Sequence, residues 1–354
     1  MRPYRPYSFS GSALAGILAT TTVLALAVPA SAATPTGHAL PALPGSAGAT
    51  ATAVNNLGTI VGYVSDANFT TIAVKWSPAG AITSLGTLPG GEYSEATGIN
   101  DLGQIVGFSG SADGDEHAVE WNAHGAITDL GAAPGKLSDS DAYGINDFGE
   151  VTGADNPAPR QVNAVRWRNG VIDNFGADDE NDLGDTTASA VNDLGTIVGQ
   201  DFVIHSDASH ESVRWNADGS YVQLPYLANE RGPGGGATAI NNLNVVVGNS
   251  PTYTFHQPHA VRWDQHGNIT DLGTLPSGID SFAYGINDLG LVVGTASDAD
   301  AVDHAVTWSR TGTLRRLPEL PGGSGSEALA VSDTGLVVGD AYDANGTDVA
   351  MVWH

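Results

Sequence analysis

Cysteine is absent from this sequence of 354 residues. The absence excludes disulfide bonds, thiolate zinc sites, thiol nucleophiles and dithiol redox chemistry. Small exported domains depend on disulfides because their cores are small, whereas a chain of this length can bury a substantial core without them. We therefore expect packing of the core, not covalent cross-links, to stabilise the fold.

Basic side chains are scarce. The sequence has 13 Lys and Arg against 39 Asp and Glu, and two of the 13, Arg2 and Arg5, lie in an N-terminal segment that we expect to be removed. The remaining chain then carries 11 − 39 = −28 charges. Such a field opposes DNA, RNA and anionic membranes, because binding there requires cations against phosphates. It suits cationic partners, divalent cations or simple solubility.

Only one long apolar run is present, at residues 13–28. Arg2 and Arg5 precede it and Ala30-Ser31-Ala32 follows it, which is the pattern of a secretory signal peptide rather than an anchor helix. We predict cleavage after Ala32, so that residues 33–354 form a single exported domain. No later run approaches the roughly 18 apolar residues of a membrane span.

The chain is built from repeats. Its seven tryptophans are spaced 45 to 48 residues apart, at Trp76, Trp121, Trp167, Trp215, Trp263, Trp308 and Trp353. Each unit contains four short apolar runs, a to d, which in the second unit are residues 96–100, 104–108, 117–121 and 126–130. Seven copies at this period indicate an array or a closed ring.

Turn signals separate the runs. Between a and b every unit has a turn of the type Asn100-Asp101-Leu102-Gly103, which Asn or Ser opens and a residue tolerant of left-handed backbone closes. Run b is a continuous β-branched segment ending in Gly, as in Ile105-Val106-Gly107. This pattern is typical of a strand covered on both faces, and the Gly indicates a bulge or a close backbone approach. The fold class predicted is all-β, with four antiparallel strands per unit.

The two ends of the sequence favour a closed ring over an open β-solenoid. The seventh unit stops at Trp353-His354 after its third run, and residues 37–43 match the end of a fourth run with no runs before it. A linear array has no reason to split one unit, whereas a ring closed in this way has no exposed sheet edge. We predict a seven-bladed β-propeller, closed by the N-terminal strand. Its units lie near residues 51–88, 96–132, 142–177, 188–227, 237–275, 283–320, and 328–353 plus 37–43.

The repeats resemble the HAF family of bacterial extracellular repeats. The resemblance is carried by residues 285–290 (GINDLG), 292–294 (VVG), 259–263 (HAVRW) and 271–275 (DLGTL), and it extends over nearly the whole of residues 33–354. Valine replaces the usual phenylalanine of the His-Ala-Phe segment, and three of the seven units keep the histidine. The resemblance implies a secreted repeat protein and no assigned activity or catalytic residues.

Binding residues are expected on one side of the disc. The a–b and c–d turns, which lie on one face, are short and uniform, whereas the b–c and d–a connections on the other face are long, variable and acidic. Variable loops on a rigid scaffold usually carry the binding residues. We therefore place a binding site on this second side, called the loop face, around the mouth of the channel that runs through the centre of a propeller. Its candidate residues are Asp66, Asn68, Asp113, Asp115, Asp298, Asp300, Asp343 and Asn345.

Four b–c loops contain Asp-x-Asp or Asp-x-Asn, and alternating carboxylates can converge on calcium. The metal candidates are Asp298, Asp300, Asp303, Asp343, Asn345 and Asp348. The competing explanation is an Asx turn without a metal. No other cofactor is predicted.

Other recurring residues have structural explanations. We expect the tryptophans to pack between blades, and His117, His259 and His304 to pack or form hydrogen bonds at the start of run c. The position before Trp is basic in four units. We therefore also expect arginines there, such as Arg166, to pair with aspartates of the a–b turns, such as Asp147.

The sequence favours a non-catalytic binding module, expected to be a monomer, that takes an extracellular protein or a glycan through its acidic loop face. It contains no Ser-His-Asp order, His-Glu-x-x-His, P-loop or dinucleotide fingerprint. The alternatives are a carbohydrate hydrolase or lyase, which needs two carboxylates about 5–10 Å apart, and a calcium-stabilised scaffold. The catalytic candidates for the hydrolase or lyase are Asp113, Glu116, Asp178 and Asp280.

Overall fold

A computed structural model describes residues 35–132, 139–158, 161–175, 186–203, 209–217, 220–227, 235–252 and 257–354. The predicted signal peptide and the candidate Asp178 lie outside these residues. In the described part of the chain, no helix is long and apolar enough to span a membrane.

Twenty-eight strands form the described fold. They are β1 (Gly37–Ala39), β2 (Gly48–Val54), β3 (Ile60–Ser65), β4 (Thr71–Trp76), β5 (Ile82–Ser84), β6 (Ser94–Ile99), β7 (Ile105–Gly110), β8 (Glu116–Trp121), β9 (Ile127–Asp129), β10 (Asp139–Ile145), β11 (Val151–Ala158), β12 (Gln161–Arg168), β13 (Val171–Asn174), β14 (Thr187–Val191), β15 (Ile197–Val203), β16 (Ser209–Trp215), β17 (Tyr221–Gln223), β18 (Gly236–Ile240), β19 (Val246–Pro251), β20 (Pro258–Trp263), β21 (Ile269–Asp271), β22 (Ser281–Ile286), β23 (Val292–Ser297), β24 (Asp303–Trp308), β25 (Leu314–Arg316), β26 (Ser326–Val331), β27 (Val337–Tyr342) and β28 (Asp348–Trp353).

The strands form seven antiparallel four-stranded sheets, which are the blades of a propeller. Blades one to six take β2 to β25 in groups of four, and each group keeps the chain order a, b, c, d. The a strands of neighbouring blades contact one another around the whole circle. In blade seven the order is β26, β27, β28, β1, with Gly37 opposite Trp353. The predicted seven-bladed propeller and its closure by the N-terminal strand are confirmed.

The a–b turns have the predicted conformation. The closing residue has positive φ in all seven blades, including Asn244 at 57° in place of glycine. In blade two, Asn100 Oδ1 accepts the N–H groups of Leu102 (3.1 Å) and Gln104 (2.9 Å). The opening side chain therefore closes its own turn.

The glycine of each b strand faces a bulge in the a strand, as predicted. The register shifts in strand a of every blade, between Ala237 and Ala239 in blade five. A Cβ atom at Gly248 would lie 2.0 Å from the carbonyl oxygen of Gly236. The bulge brings the backbones so close that a side chain has no space.

The tryptophans pack between blades, as predicted. Trp121 of blade two shares a core cluster with Val61 and Ala73 of blade one, and the other blades repeat this arrangement. Four indole N–H groups also donate to carbonyls near the last strand of the preceding blade, such as that of Trp263 to Pro225 (2.8 Å).

The a strands begin one to three residues before the predicted boundaries, for example at Ser94 rather than Ala96. The reason is a buried serine or its equivalent at this position. Ser94 Oγ accepts the N–H of Ala73, which lies in strand c of blade one, at 3.0 Å. Ser140, Ser281 and Ser326 repeat this bond between blades. This buried polar residue interrupts the apolar pattern that predicts the start of strand a, so the strand begins earlier than the pattern indicates.

Candidate functional site

The channel opens on the turn face, the side of the disc with the a–b and c–d turns, inside a closed circle of polar residues. The second residue of each a–b turn donates its backbone N–H to the side chain of the same residue in the next blade, at 2.7 to 2.9 Å. The circle consists of Asn56, Asp101, Asp147, Asp193, Asn242, Asp288 and Asp333. It holds all seven blades in register.

A second set of bonds supports this circle. The amide of the turn-opening asparagine donates to the backbone carbonyl of its equivalent in the next blade, at 2.9 to 3.0 Å, from Asn55 around to Asn287. The set ends at Ser332, which has no amide group. Each residue of the circle donates its backbone N–H to one neighbouring blade and accepts with its side chain from the other, so we treat the turn face as structural.

The expected pairing of arginines with the turn aspartates is wrong. Arg166 instead binds Asp173 on the adjacent d strand (2.7 Å), and Arg262 donates to the carbonyl of Arg310 (2.9 Å). None of the ion pairs among the described residues joins an arginine to an a–b turn aspartate. The reason is that these carboxylates accept backbone N–H groups of the preceding blade.

On the loop face, three of the four acidic b–c loops are Asx turns. Asp66, Asp298 and Asp343 each accept the N–H groups two and four residues later, at 2.7 to 3.2 Å. Asn68, Asp300 and Asn345 sit in these turns with exposed side chains. The turns are thus closed without an ion, and calcium binding stays a prediction.

Asp298, Asp300 and Asp303 do not converge as a metal site requires. In the described chain, the one set of three His, Asp or Glu residues whose ligand atoms all lie within 4.8 Å of one another is Asp113, Asp115 and His117. Asp298 instead binds His304 (2.8 Å), and this bond, with two backbone N–H groups, lowers the pKa of Asp298 to about 2.

The three histidines form hydrogen bonds at the start of strand c, as predicted. His117 and His259 bind Asp129 and Asp271 of the adjacent d strands, at 2.7 and 3.0 Å. His304 differs, because Glu319 and Asp298 occupy both of its ring nitrogens.

The loop face also carries seven carboxylates that we call the acidic arc. Burial raises the pKa of each above its ordinary value. They are Glu95, Glu116, Asp141, Asp303, Glu327, Asp340 and Asp348. No ion pair among the described residues involves any of the seven.

One part of the arc joins blades two and three. The carboxyl groups of Glu116 and Asp141 share a hydrogen bond, and burial followed by repulsion from Asp141 raises the pKa of Glu116 to about 7. Asp141 also raises the pKa of Glu95. One oxygen of Asp141 is buried without a hydrogen-bond partner.

The other part of the arc joins blades six and seven. Glu327 and Asp340 are cross-strand partners, and Asp303 and Asp348 raise the pKa of Glu327 by repulsion in addition to its burial. The candidate Asp280 in turn raises the pKa of Asp303. Asp303 of blade six and Glu327 of blade seven therefore repel each other, and in the described part of the chain neither forms an ion pair.

Sequence reasoning located part of this site. It singled out Glu116, Asp303 and Asp348 as loop residues, but it missed Glu95, Asp141, Glu327 and Asp340. These four lie inside strands a and b. The signal that could have located them is a charged residue within a run of otherwise apolar or small residues.

We expect Asp340→Asn to stabilise the protein at high pH. Asp340 is 7% exposed, and burial, with repulsion from Glu327 and Asp348, raises its pKa to about 7. The folded state therefore binds the proton more tightly than the unfolded chain, and stability falls as pH rises from about 4 to about 7. The substitution should raise the free energy of unfolding by about 2–4 kcal/mol at pH 8 and change it little at pH 4.

Urea denaturation at both pH values measures this effect. Asp300→Asn is the matched control, because it removes the same charge from an exposed position on the same face. An equal gain in both variants at pH 8, or no gain in Asp340→Asn, would contradict the assignment.

Comparisons with known proteins identify the fold but no family. No protein-family model matches the sequence, and no curated protein matches it. In structure the chain is similar to a puromycin hydrolase, with a TM-score of 0.52, 15% identity and coverage of 86% of this chain and 52% of that one. It is also similar to TolB from Acinetobacter baumannii, with a TM-score of 0.50, 10% identity and coverage of 78% and 64%. An oligogalacturonate lyase from Vibrio parahaemolyticus gives a TM-score of 0.52, 9% identity and coverage of 91% and 97%.

The chain thus spans about half of that puromycin hydrolase and under two thirds of TolB. At these identities the likeness establishes the propeller fold alone.

Proposed function

We propose that this protein is a secreted, non-catalytic propeller that binds a basic segment of an extracellular protein through the acidic arc. The observation that carries the proposal is the repulsion between carboxylates of neighbouring blades. Asp141 of blade three raises the pKa of Glu116 of blade two, and Asp303 of blade six raises that of Glu327 of blade seven, in both cases in addition to burial. No ion pair among the described residues involves these four carboxylates. Export rests on the predicted signal peptide and on the resemblance to extracellular HAF repeats.

A cationic partner fits this surface better than a neutral one. Carboxylates that repel one another are stabilised when lysine or arginine side chains neutralise them, and complementary charge also speeds association. Sugar hydroxyl groups can donate hydrogen bonds to carboxylates, but they leave the repulsion in place. We therefore favour a basic protein segment over a glycan.

The hydrolase or lyase alternative has less support from the geometry. Glu116 and Asp141 are in direct hydrogen-bond contact, whereas glycosidases hold their two carboxylates about 5–10 Å apart so that the sugar fits between them. The half-buried and exposed carboxylates of the arc, such as Glu95, Glu327 and Asp348, instead offer several acceptor groups on the loop face.

Binding of a fluorescein-labelled octalysine peptide tests the proposal. Glu95→Gln combined with Glu327→Gln removes two charges from the a strands and should weaken binding at least about fivefold at low salt. The control combines Glu120→Gln with Asp264→Asn, which removes two charges from the turn face. Both replacements keep an acceptor oxygen for the bonds from Gln104 to Glu120 and from His266 to Asp264.

Fluorescence anisotropy at several salt concentrations measures these affinities, and a panel of neutral and acidic polysaccharides serves as comparison. Loss of affinity in the loop-face variant alone supports the proposal. Equal affinity in both variants, or absence of peptide binding, overturns it. Binding of a polysaccharide in place of the peptide would indicate a lectin, and its cleavage would indicate the enzyme.

A further inference from the structure

The b–c loop of blade two brings two carboxylates and an imidazole together. The ligand atoms of Asp113, Asp115 and His117 all lie within 4.8 Å of one another. Asp113 is exposed, whereas Asp115 and His117 are half-buried. Beside them is a cleft of about 580 Å³ bordered by Leu88 and Pro89 of the preceding blade.

The imidazole of His117 is held in the orientation of a metal ligand. Its Nδ1 lies 2.7 Å from Asp129 Oδ2, and because a carboxylate accepts this bond, the proton is on Nδ1 and the lone pair is on Nε2. Nε2 is buried and has no hydrogen-bond partner in the protein. A carboxylate that orients a ligating histidine in this way is typical of metal sites.

The other blades show that the carboxylate of Asp115 is not needed to build the turn, whereas that of Asp113 accepts the hydroxyl of Ser111. Where blades one, six and seven have the capping Asp66, Asp298 and Asp343, blade two has Ser111. Backbone bonds from Ser111 N to Asp115 O (3.0 Å) and from Gly114 N to Ser111 O (3.2 Å) close its turn. The position of Asp115 is taken by Thr70, Val302 and Thr347 in those three blades. The carboxylate of Asp115 thus has no structural task in the turn.

The other two histidines lack this combination. Carboxylates occupy both ring nitrogens of His304. His259 has the same bond to a d-strand aspartate as His117, but residues 251–258 before it contain no carboxylate. Blade two alone, among these three, offers a free ring nitrogen beside two carboxylates.

We propose that Asp113, Asp115 and His117 form a binding site for a divalent transition-metal ion, and that Asp129 orients His117. One nitrogen and two carboxylate oxygens suit zinc or manganese, with the open cleft leaving a position for water or a further ligand. Calcium fits less well, since it takes six to eight oxygen ligands. None of the three proposed ligands belongs to the acidic arc, although Glu116 of the arc lies between Asp115 and His117 in the sequence, and the proposal does not depend on the proposed function.

Isothermal titration of the chelator-treated protein with zinc sulfate tests the site. We expect one zinc ion per chain, with affinity at least tenfold weaker in Asp115→Asn and in His117→Ala. Asp129→Asn should weaken binding roughly 10–100-fold, because the histidine loses its orientation. Asp115 is the safer position to change, since its side chain does not close the turn, and thermal melting verifies that each variant is folded.

The matched control is His259→Ala, which removes the equivalent histidine of blade five and should leave zinc binding unchanged. Absorption of the cobalt(II)-loaded protein reports independently on a nitrogen ligand, and its spectrum should change in His117→Ala and stay the same in His259→Ala. Zinc binding that survives both Asp115→Asn and His117→Ala overturns the proposal, as does the absence of zinc binding at micromolar protein. Displacement of the zinc by equimolar calcium would also contradict it.

Discussion

Gly248→Ala is expected to lower the free energy of unfolding by at least about 3 kcal/mol, which is at or above the upper range for overpacked sites. A Cβ atom there would lie 2.0 Å from the carbonyl oxygen of Gly236 and 3.0 Å from Cα of Ala237. Both are backbone atoms of the paired strand, so relief of the clash requires the a and b strands to separate. The same approach, at 1.8 to 2.0 Å, recurs at the b-strand glycine of every blade.

Gly236→Ala in the same hairpin is the matched control. Its Cβ would meet the Gln200 Oε1 atom at 3.2 Å, and the end of this flexible side chain can move aside. We expect a loss below about 1 kcal/mol. Equilibrium unfolding in guanidinium chloride, followed by tryptophan fluorescence, compares the two variants. Equal stability of the two would show that the close approach is not what selects glycine in this position.

A chain that starts at Ser46, and so lacks β1, is expected to have a free energy of unfolding about 3–5 kcal/mol lower than a chain that starts at Ala33. Removal of Leu40, which is 8% exposed, lowers the free energy of unfolding by about 2 kcal/mol because its buried apolar surface is lost. Trp76 is fully buried and donates its indole N–H to Pro41 at 2.7 Å, so loss of this acceptor costs about 1–3 kcal/mol more. The outer edge of β28 also becomes an exposed strand edge, which favours association between chains.

Thermal melting and size-exclusion chromatography measure both consequences. A chain that starts at Pro35 is the control, because it keeps β1 and the pair of backbone bonds between Thr36 and His354. A synthetic peptide of residues 35–45, added to the shortened chain, should restore part of the lost stability. If the shortened chain melts like the control, the N-terminal strand does not close the ring.

The architecture could be predicted because the residues that form its turns and bulges recur at fixed positions in the repeat. Asn100 and Gly103 mark a turn that is closed within four residues, and Gly107 marks a strand that passes a bulge in its neighbour. Such local requirements leave the same residue types in every copy. The split of the seventh unit between Trp353 and the segment at residues 37–43 then determined the closure. The fourth strand of this sheet comes from the other end of the chain, and it can pair with the third strand only if the ring closes.

The candidate sites depend on contacts between blades, which the repeat pattern does not encode. Glu116 meets Asp141 because the start of strand c in blade two packs beside strand a of blade three. At the equivalent contact between blades one and two, Thr71 lies beside Glu95. The spacing of residues along the sequence does not show which side chains meet at such a contact. It therefore does not show whether the pair is neutral or acidic. The expected Arg–Asp pairs failed for the same reason, because the ring of backbone N–H groups that engages Asp147 exists only once the blades are assembled.

The sequence by itself thus determined the strand count per unit, the turn chemistry and the glycine positions, all of which follow from short-range backbone geometry. It also determined the circular closure, which follows from the match of residues 37–43 to the missing fourth run of the seventh unit. The tertiary structure alone decided which side chains share a space. It placed the acidic arc on the loop face, used the turn aspartates to join the blades, and brought His117 and Asp129 from separate strands to one edge of blade two. Side chains that are distant along the chain interact only through the packing of the assembled blades, and that packing sets the chemistry of this protein.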